Sequence, residues 1–249
     1  MTARAFHTFH ALAALAALAL MAFGSFSPSR AVAVPVTSGL IHLYEAEGNS
    51  NDSVGTAHGS FFPSAYAPGV SGQAFDLDGI SNPNVSGLTP VIPTGSDFTV
   101  ALWVKDSVQS NSIQEFISAG FNSNNAFYLG TNTSGGSDEF RISDNWISVS
   151  GPTLQGTGWH HYAVTKTAMS TKFYIDGSLH DQRSGDLFRP ASGAITLKIG
   201  TQFNGFERLI GQVDDVAIYN RALDATEVAT LIPEPSTLLL GVLGFAALA

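Results

Sequence analysis

Leu209-Ile210-Gly211-Gln212-Val213-Asp214-Asp215-Val216-Ala217-Ile218-Tyr219-Asn220-Arg221-Ala222-Leu223 is the stretch on which the fold turns. Leu209 to Asn220 reads as one long strand, with apolar residues in short runs around a polar centre. Just beyond it, Asp224-Ala225-Thr226-Glu227 supplies a capping box for a short helix, Asp224 to Leu231, with Leu223, Val228 and Leu231 on one face. Working back along the chain, the same patterning predicts strands at Leu40 to Glu45, Gln73 to Asp78, Asp97 to Lys105, Ile113 to Ala119 and Ala126 to Leu129. Further strands are predicted at Glu139 to Ser143, Trp146 to Val149, His160 to Thr167, Thr171 to Asp176 and Ala194 to Ile199. Asp176-Gly177 provides the positive φ values of a tight hairpin turn between Lys172-Phe173-Tyr174-Ile175 and Ser178-Leu179-His180. These strands suffice for two packed sheets, and the predicted class is all-β.

Composition narrows the setting. The chain has 249 residues, a formal charge of −9 and no cysteine, so no disulfide holds the fold and no thiolate zinc site exists. Arg4, the apolar stretch Ala11 to Phe23 and the small residues Ala31-Val32-Ala33 form an export signal with cleavage expected between Ala33 and Val34. Loss of Arg4 and Arg30 with that leader leaves nine basic and twenty acidic residues, hence −11. Nucleic acid is excluded as a partner, because phosphate neutralisation needs clustered Lys and Arg. Residues 34–231 have the length of one all-β domain.

At the other end, Ile232-Pro233-Glu234-Pro235-Ser236-Thr237 leads into an apolar run, Leu238 to Ala249. The prolines stop the preceding helix, since they lack a backbone donor and bias their neighbours away from helical geometry. The motif Pro233-Glu234-Pro235 with its apolar run resembles the PEP-CTERM sorting tail of envelope proteins. The resemblance implies signal peptidase and an exosortase-type sorting enzyme as partners, and a transient membrane association. Leu238 to Ala249 departs from that family, because as a helix it reaches ~18 Å against a hydrocarbon core of ~30 Å. No terminal arginine cluster follows it, so the tail at 232–249 is expected to be truncated or to sort poorly.

Several segments resemble LamG-like domains of the concanavalin A type in order and spacing. They are Leu43-Tyr44-Glu45-Ala46-Glu47-Gly48-Asn49-Ser50-Asn51-Asp52-Ser53, Pro68-Gly69-Val70-Ser71-Gly72-Gln73-Ala74-Phe75-Asp76-Leu77-Asp78-Gly79 and Phe98-Thr99-Val100-Ala101-Leu102-Trp103-Val104-Lys105. Gly158-Trp159-His160-His161-Tyr162-Ala163-Val164-Thr165 and the opening stretch complete the series. The resemblance implies a two-sheet jelly-roll sandwich over residues 34–231, with its terminal strands side by side, flanked by a signal-peptide helix and a short hydrophobic C-terminal helix.

The family's calcium ion often ties the first strand, a turn after the second and the last strand together. Carried over, that points to Glu47, Asp78 and Asp214 as ligands of a structural calcium, an ion that prefers carboxylate and carbonyl oxygens. Turn-forming or solvated acids are the alternative for the same residues. Asp214 and Asp215, as strand neighbours, are expected on opposite faces and so cannot act together on one glycosidic bond. The Glu-x-Asp-x-Glu strand of glycosidases on this sandwich does not occur, and no catalytic residue is assigned. His160 and His161 alternate faces as well, and core packing is expected of them rather than metal binding.

Trp103 and Trp159 are expected in the core. Trp146 lies in a polar setting beside Asp144 and Asn145, where its face could stack on a sugar while those two exchange hydrogen bonds with hydroxyls. Phe203-Asn204-Gly205-Phe206 and Phe121-Asn122 are similar loop candidates, an ordinary half-buried aromatic being the alternative throughout. Neither a phosphate-cradling Gly-Lys-Ser/Thr loop nor a Gly-x-Ser-x-Gly elbow occurs. The resulting expectation is an exported, non-catalytic module that binds a polysaccharide, glycoconjugate or protein at the cell surface or in the matrix. A structural matrix component without a specific ligand, and a glycoside hydrolase, are the alternatives.

Overall fold

A computed structural model describes residues 36–232 except 62–64, 81, 88–90, 107–112, 122–123, 133–137, 143–146, 152–153 and 189–194. The strands are β1 (Leu40–Tyr44), β2 (Tyr66–Pro68), β3 (Gln73–Asp78), β4 (Asn84–Gly87), β5 (Phe98–Asp106), β6 (Ile113–Phe121) and β7 (Asn124–Asn132). They continue with β8 (Asp138–Ile142), β9 (Ile147–Gly151), β10 (His160–Lys166), β11 (Ser170–Ile175), β12 (Ser178–Ser184), β13 (Ile195–Ile199) and β14 (Ile210–Tyr219), before helix α1 (Ala225–Thr230). One sheet has the order β12-β11-β10-β5-β14-β3-β2, with β1 also on β14, and the other the order β4-β13-β6-β7-β8-β9. The ladders are antiparallel throughout.

The long strand β14 organises the first sheet. Along one side it pairs with β5. Along the other, Ile210 to Val213 pair with β3, and Val216 to Tyr219 pair with β1. First and last strands therefore lie side by side, as the family resemblance implies.

Alternation then sorts the side chains. Val100, Leu102 and Val104 of β5, Tyr162 and Val164 of β10, and Val213, Val216 and Ile218 of β14 enter the core between the sheets. They meet Phe116, Ile117, Phe127, Leu129, Leu197 and Ile199 of the second sheet. Burial of each such side chain contributes about 1.5–3 kcal/mol, and with no disulfide this core carries the stability.

The intervening residues Ala101, Ala163, Ala217 and Tyr219 face outward and form a second cluster with Leu223, Val228 and Leu231 around α1. Small alanines on three adjacent strands let the helix region pack close. The capping box forms as predicted: Glu227 N donates to Asp224 Oδ1 at 2.9 Å, and Asp224 N donates to Glu227 Oε2 at 3.0 Å. Glu227 also takes both arms of Arg221, at 2.7 and 2.8 Å, which with the Asp224 N–H holds its carboxyl down at about 2.

The predicted hairpin turn is present, with φ of 48° at Asp176 and 75° at Gly177. Two strands had no sequence signal. β2 and β4 are too short for a period to show, and they form because β3 and β13 offer open edges. Pro68 in β2 sits at the sheet edge, where its missing N–H costs no ladder bond. Trp159, expected in the core, precedes β10 and is half-buried. Among the described residues no helix is long and apolar enough to cross a membrane.

Candidate functional site

The site begins with a break in the ladder. Between Asp214 and Ala217 the β5–β14 register shifts, and Asp215 takes a φ of 46°. This bulge overturns the expectation that Asp214 and Asp215 point to opposite faces: a residue in the left-handed region no longer alternates. Asp214 lies opposite Trp103 on the outward face, and Asp215 turns toward the cleft beside the same tryptophan.

Asp214 is fully buried. Its Oδ2 accepts from Val70 N at 2.7 Å and Ser71 N at 3.3 Å, and its Oδ1 from Asp215 N at 2.9 Å. Glu47 Oε1 accepts from Gln73 N at 3.1 Å, so both carboxylates close on the Gly69–Gly72 turn. Glycine is required at 69, because a β-carbon there would strike Asp214 Oδ2 and the Gln73 carbonyl. Burial pushes the Asp214 carboxyl up to about 6; the three N–H groups lower it in part, and the charge of Glu47 adds to the rise.

Asp78 does not join them. It pairs with Ile210, four residues along β14 from Asp214, or ~13 Å at strand spacing. There its Oδ1 accepts from Ile80 N at 2.8 Å. The turn that meets Asp214 precedes β3, whereas the resemblance put it after. Among the described residues no three His, Asp or Glu side chains assemble as a metal group. Glu47 and Asp214 are the two of the three expected ligands that reach one turn, where each carboxylate accepts backbone N–H bonds.

Two clefts adjoin this corner. The first, about 150 Å³, is lined by Leu40, Leu43, Trp103, His161, Asp215 and Tyr219, with Glu45 at its margin. Trp103 and His161 meet edge to face at 5.1 Å and 63°. Burial pulls His161 down to about 4, so it is neutral at ordinary pH, and its Nδ1 has no hydrogen-bond partner among the described residues.

The second cleft, about 340 Å³, is polar: Glu45, Glu47, Asn49, Asn51, Ser53 and His58 surround it. Glu45 belongs to both. Buried Asp52 shapes the second cleft by gathering the loop after β1. It accepts N–H bonds from Leu43 (3.1 Å), Val54 (3.2 Å), Gly55 (2.8 Å) and Ala57 (3.1 Å), and its Oδ2 lies 2.6 Å from His42 Nδ1. Burial pushes its carboxyl up, but these bonds outweigh that and hold it below the usual range.

Trp146, Asp144 and Asn145 lie outside the described residues, as do Pro233, Glu234 and Pro235 of the tail and Ala31 and Ala33 of the leader. His160 and His161 part as expected, His160 binding Thr157 at 2.7 Å and Asp176 at 2.8 Å. Trp103 is buried as expected, though in the outward layer. The sequence reading passed over Glu45, Asn49, Asn51 and His58. The Asn and Ser richness of the loop after β1 was their signal, and it reads equally well as an ordinary turn.

The family model for the concanavalin A-like lectin/glucanases superfamily matches residues 79–229, and the chain belongs to that superfamily. Domain 4 of the extracellular arabinanase AbnA from Geobacillus stearothermophilus, solved with arabinotriose, is similar in structure: TM-score 0.62, 23% identity, covering 78% of this chain and 98% of that one. The binding domain of Paraclostridial Mosquitocidal Protein 1 gives 0.57 and 17%, over 78% of this chain and 51% of that one. Trypanosoma rangeli sialidase, bound to the inhibitor DANA, gives 0.59 and 16%. There the match covers 78% of this chain but only 33% of the sialidase. At these identities the likeness is one of fold. A search of curated proteins finds no match.

Proposed function

We propose that the protein is an exported, non-catalytic carbohydrate-binding module of the cell envelope, and that the paired clefts around Glu45 are its ligand groove. The observation that carries this reading is that a cleft lined by Leu40, Leu43 and Trp103 shares Glu45 with one lined by Glu47, Asn49 and Asn51. A sugar presents apolar ring faces and a rim of hydroxyls, and such a pair serves both. A domain of the same fold solved with arabinotriose supports the reading.

Binding without chemistry is supported by Asp214. Although its carboxyl has the raised pKa of a general acid, it is enclosed and all three of its bonds come from backbone N–H groups, so it has no path to a glycosidic oxygen. A calcium ion held by Glu47 and Asp214 would brace the Gly69–Gly72 turn beside the groove. Export rests on the leader residues up to Ala33, and sorting on Pro233-Glu234-Pro235.

A glycan array probed with the exported chain, arabino-oligosaccharides included, tests the proposal. Glu45→Ala and Asn51→Ala remove exposed side chains that make no hydrogen bond of their own among the described residues, and each should weaken binding about tenfold, the scale of one hydrogen bond to the ligand, without lowering the melting temperature. Absence of any glycan ligand, or variants that bind like the parent chain, defeats it.

A further inference from the structure

The loop between β13 and β14 holds an arrangement that the groove does not use. Phe206 is 71% exposed, yet its backbone is fixed on both sides. Its N–H donates to Asn204 Oδ1 at 3.0 Å, while its carbonyl accepts from Gln202 N and Thr201 Oγ1, each at 2.9 Å. Arg208 ties the loop further, donating from Nε to the Gly205 carbonyl at 2.8 Å and from Nη1 to the carbonyls of Gly79 and Ile80 at 3.3 Å. An aromatic ring held toward water on a braced loop forgoes burial that a polar residue would not need.

Two cations lie beside the residue that precedes it, Gly205. A β-carbon at Gly205, where φ is 88°, would stand 3.9 Å from Lys198 Nζ and 4.0 Å from Arg208 Nη2, so both groups lie within reach of one point beside the loop. In a chain of net charge −9, neither cation has a carboxylate partner among the described residues: Arg208 bonds only carbonyls, and Lys198 makes no hydrogen bond or ion pair. The nearby acid Glu207 is engaged instead by Gln202, at 2.8 Å. Partial burial, and then the charge of Arg208, pull the Lys198 ammonium below its usual value. An anion within reach of both would relieve that repulsion.

We infer that Lys198 and Arg208, with Phe206 as a stacking face and Asn204 at the margin, form a second subsite that takes an acidic sugar, its carboxylate or sulfate between the two cations and its ring against Phe206. Guanidinium and ammonium donors suit a sugar anion, and an aromatic face suits the ring that carries it. This rests on the carbohydrate reading but not on the groove: Arg208 lies on the Asp78 side of β14, and Glu45 lies at the Asp214 side.

The test uses the exported full chain with oligogalacturonate, a sulfated galactan of matched length and a neutral arabino-oligosaccharide, measured by calorimetry at low and moderate salt. Lys198→Gln and Phe206→Ala replace side chains that make no hydrogen bond, so the fold should be kept, which melting curves verify. The parent chain should bind at least one of the anionic oligosaccharides, more weakly as salt rises. Each variant should lose that binding about tenfold or more while neutral binding is unchanged. Preference for the uronate identifies a carboxylate ligand, and preference for the galactan a sulfate. Failure of the parent chain to bind either anionic glycan overturns the inference, as does anionic binding that both variants retain. Loss of neutral binding in Glu45→Ala, with anionic binding intact, concerns the groove alone.

Discussion

Asp214 and Trp103 stand directly opposite one another across the β5–β14 ladder, and the register breaks immediately after them. That break places Asp215 beside the tryptophan and delivers the buried carboxylate of Asp214 to the Gly69–Gly72 turn. One irregular residue thus connects the sheet to the Gly69–Gly72 turn.

Substitution at the bulge should show its conformational demand. Asp215 holds a φ of 46°, which β-branched residues tolerate poorly. Asp215→Val should lower the unfolding free energy by about 1–2 kcal/mol, while Asp215→Gly, free of that penalty, should stay near the parent value. Chemical denaturation of the two variants decides it, and equal losses would refute the role of φ.

Acid titration should resolve opposing groups. The folded Asp214 carboxyl sits at about 6 against 3.8 for the ordinary group, so the native state holds a proton that the unfolded chain releases. The cost of burying its charge is therefore present at neutral pH and falls away as pH drops from about 6 toward 3.8. Glu227 works the other way: lowered from 4.5 to about 2, it stabilises above 4.5 and loses that contribution as pH falls toward 2. Without metal, stability should rise on mild acidification and then decline. Asp214→Asn should remove the rise and leave the decline, and a rise that survives in that variant contradicts the assignment.

Calcium should raise the melting temperature if Glu47 and Asp214 hold it. An ion that binds only the native state adds ~2.7 kcal/mol at a hundredfold excess over its dissociation constant. Glu47→Gln and Asp214→Asn should each abolish the response to calcium and chelator, whereas Asp78→Asn should keep it, since Asp78 lies at the other end of β3. A melting curve indifferent to chelator in the parent chain rules the ion out.

Asp52→Ala should be among the costliest single changes outside the core. It strands four backbone N–H groups around a buried position. The expected loss is about 2–4 kcal/mol, with glycan binding falling too because the loop lines the polar cleft. If the variant keeps its stability, the loop is held by something other than this carboxylate.

The sequence alone determined the all-β class with strands enough for two sheets, the hairpin at Asp176-Gly177, the capping box at Asp224 and the separation of His160 from His161. These follow from period-two patterning and turn chemistry, which act between neighbours along the chain. Only the tertiary structure decided which acids meet. Strand alternation argued that Asp214 and Asp215 part, yet a bulge, which depends on how β14 serves both β3 and β1, overrides it. Asp78 shares a motif with the Gly69–Gly72 turn but lies a strand's length away, and Lys198 and Arg208 come near one another only because the β13–β14 loop turns at Gln202 to Phe206. Contacts between segments distant in sequence are set by register and packing, and no local pattern encodes them.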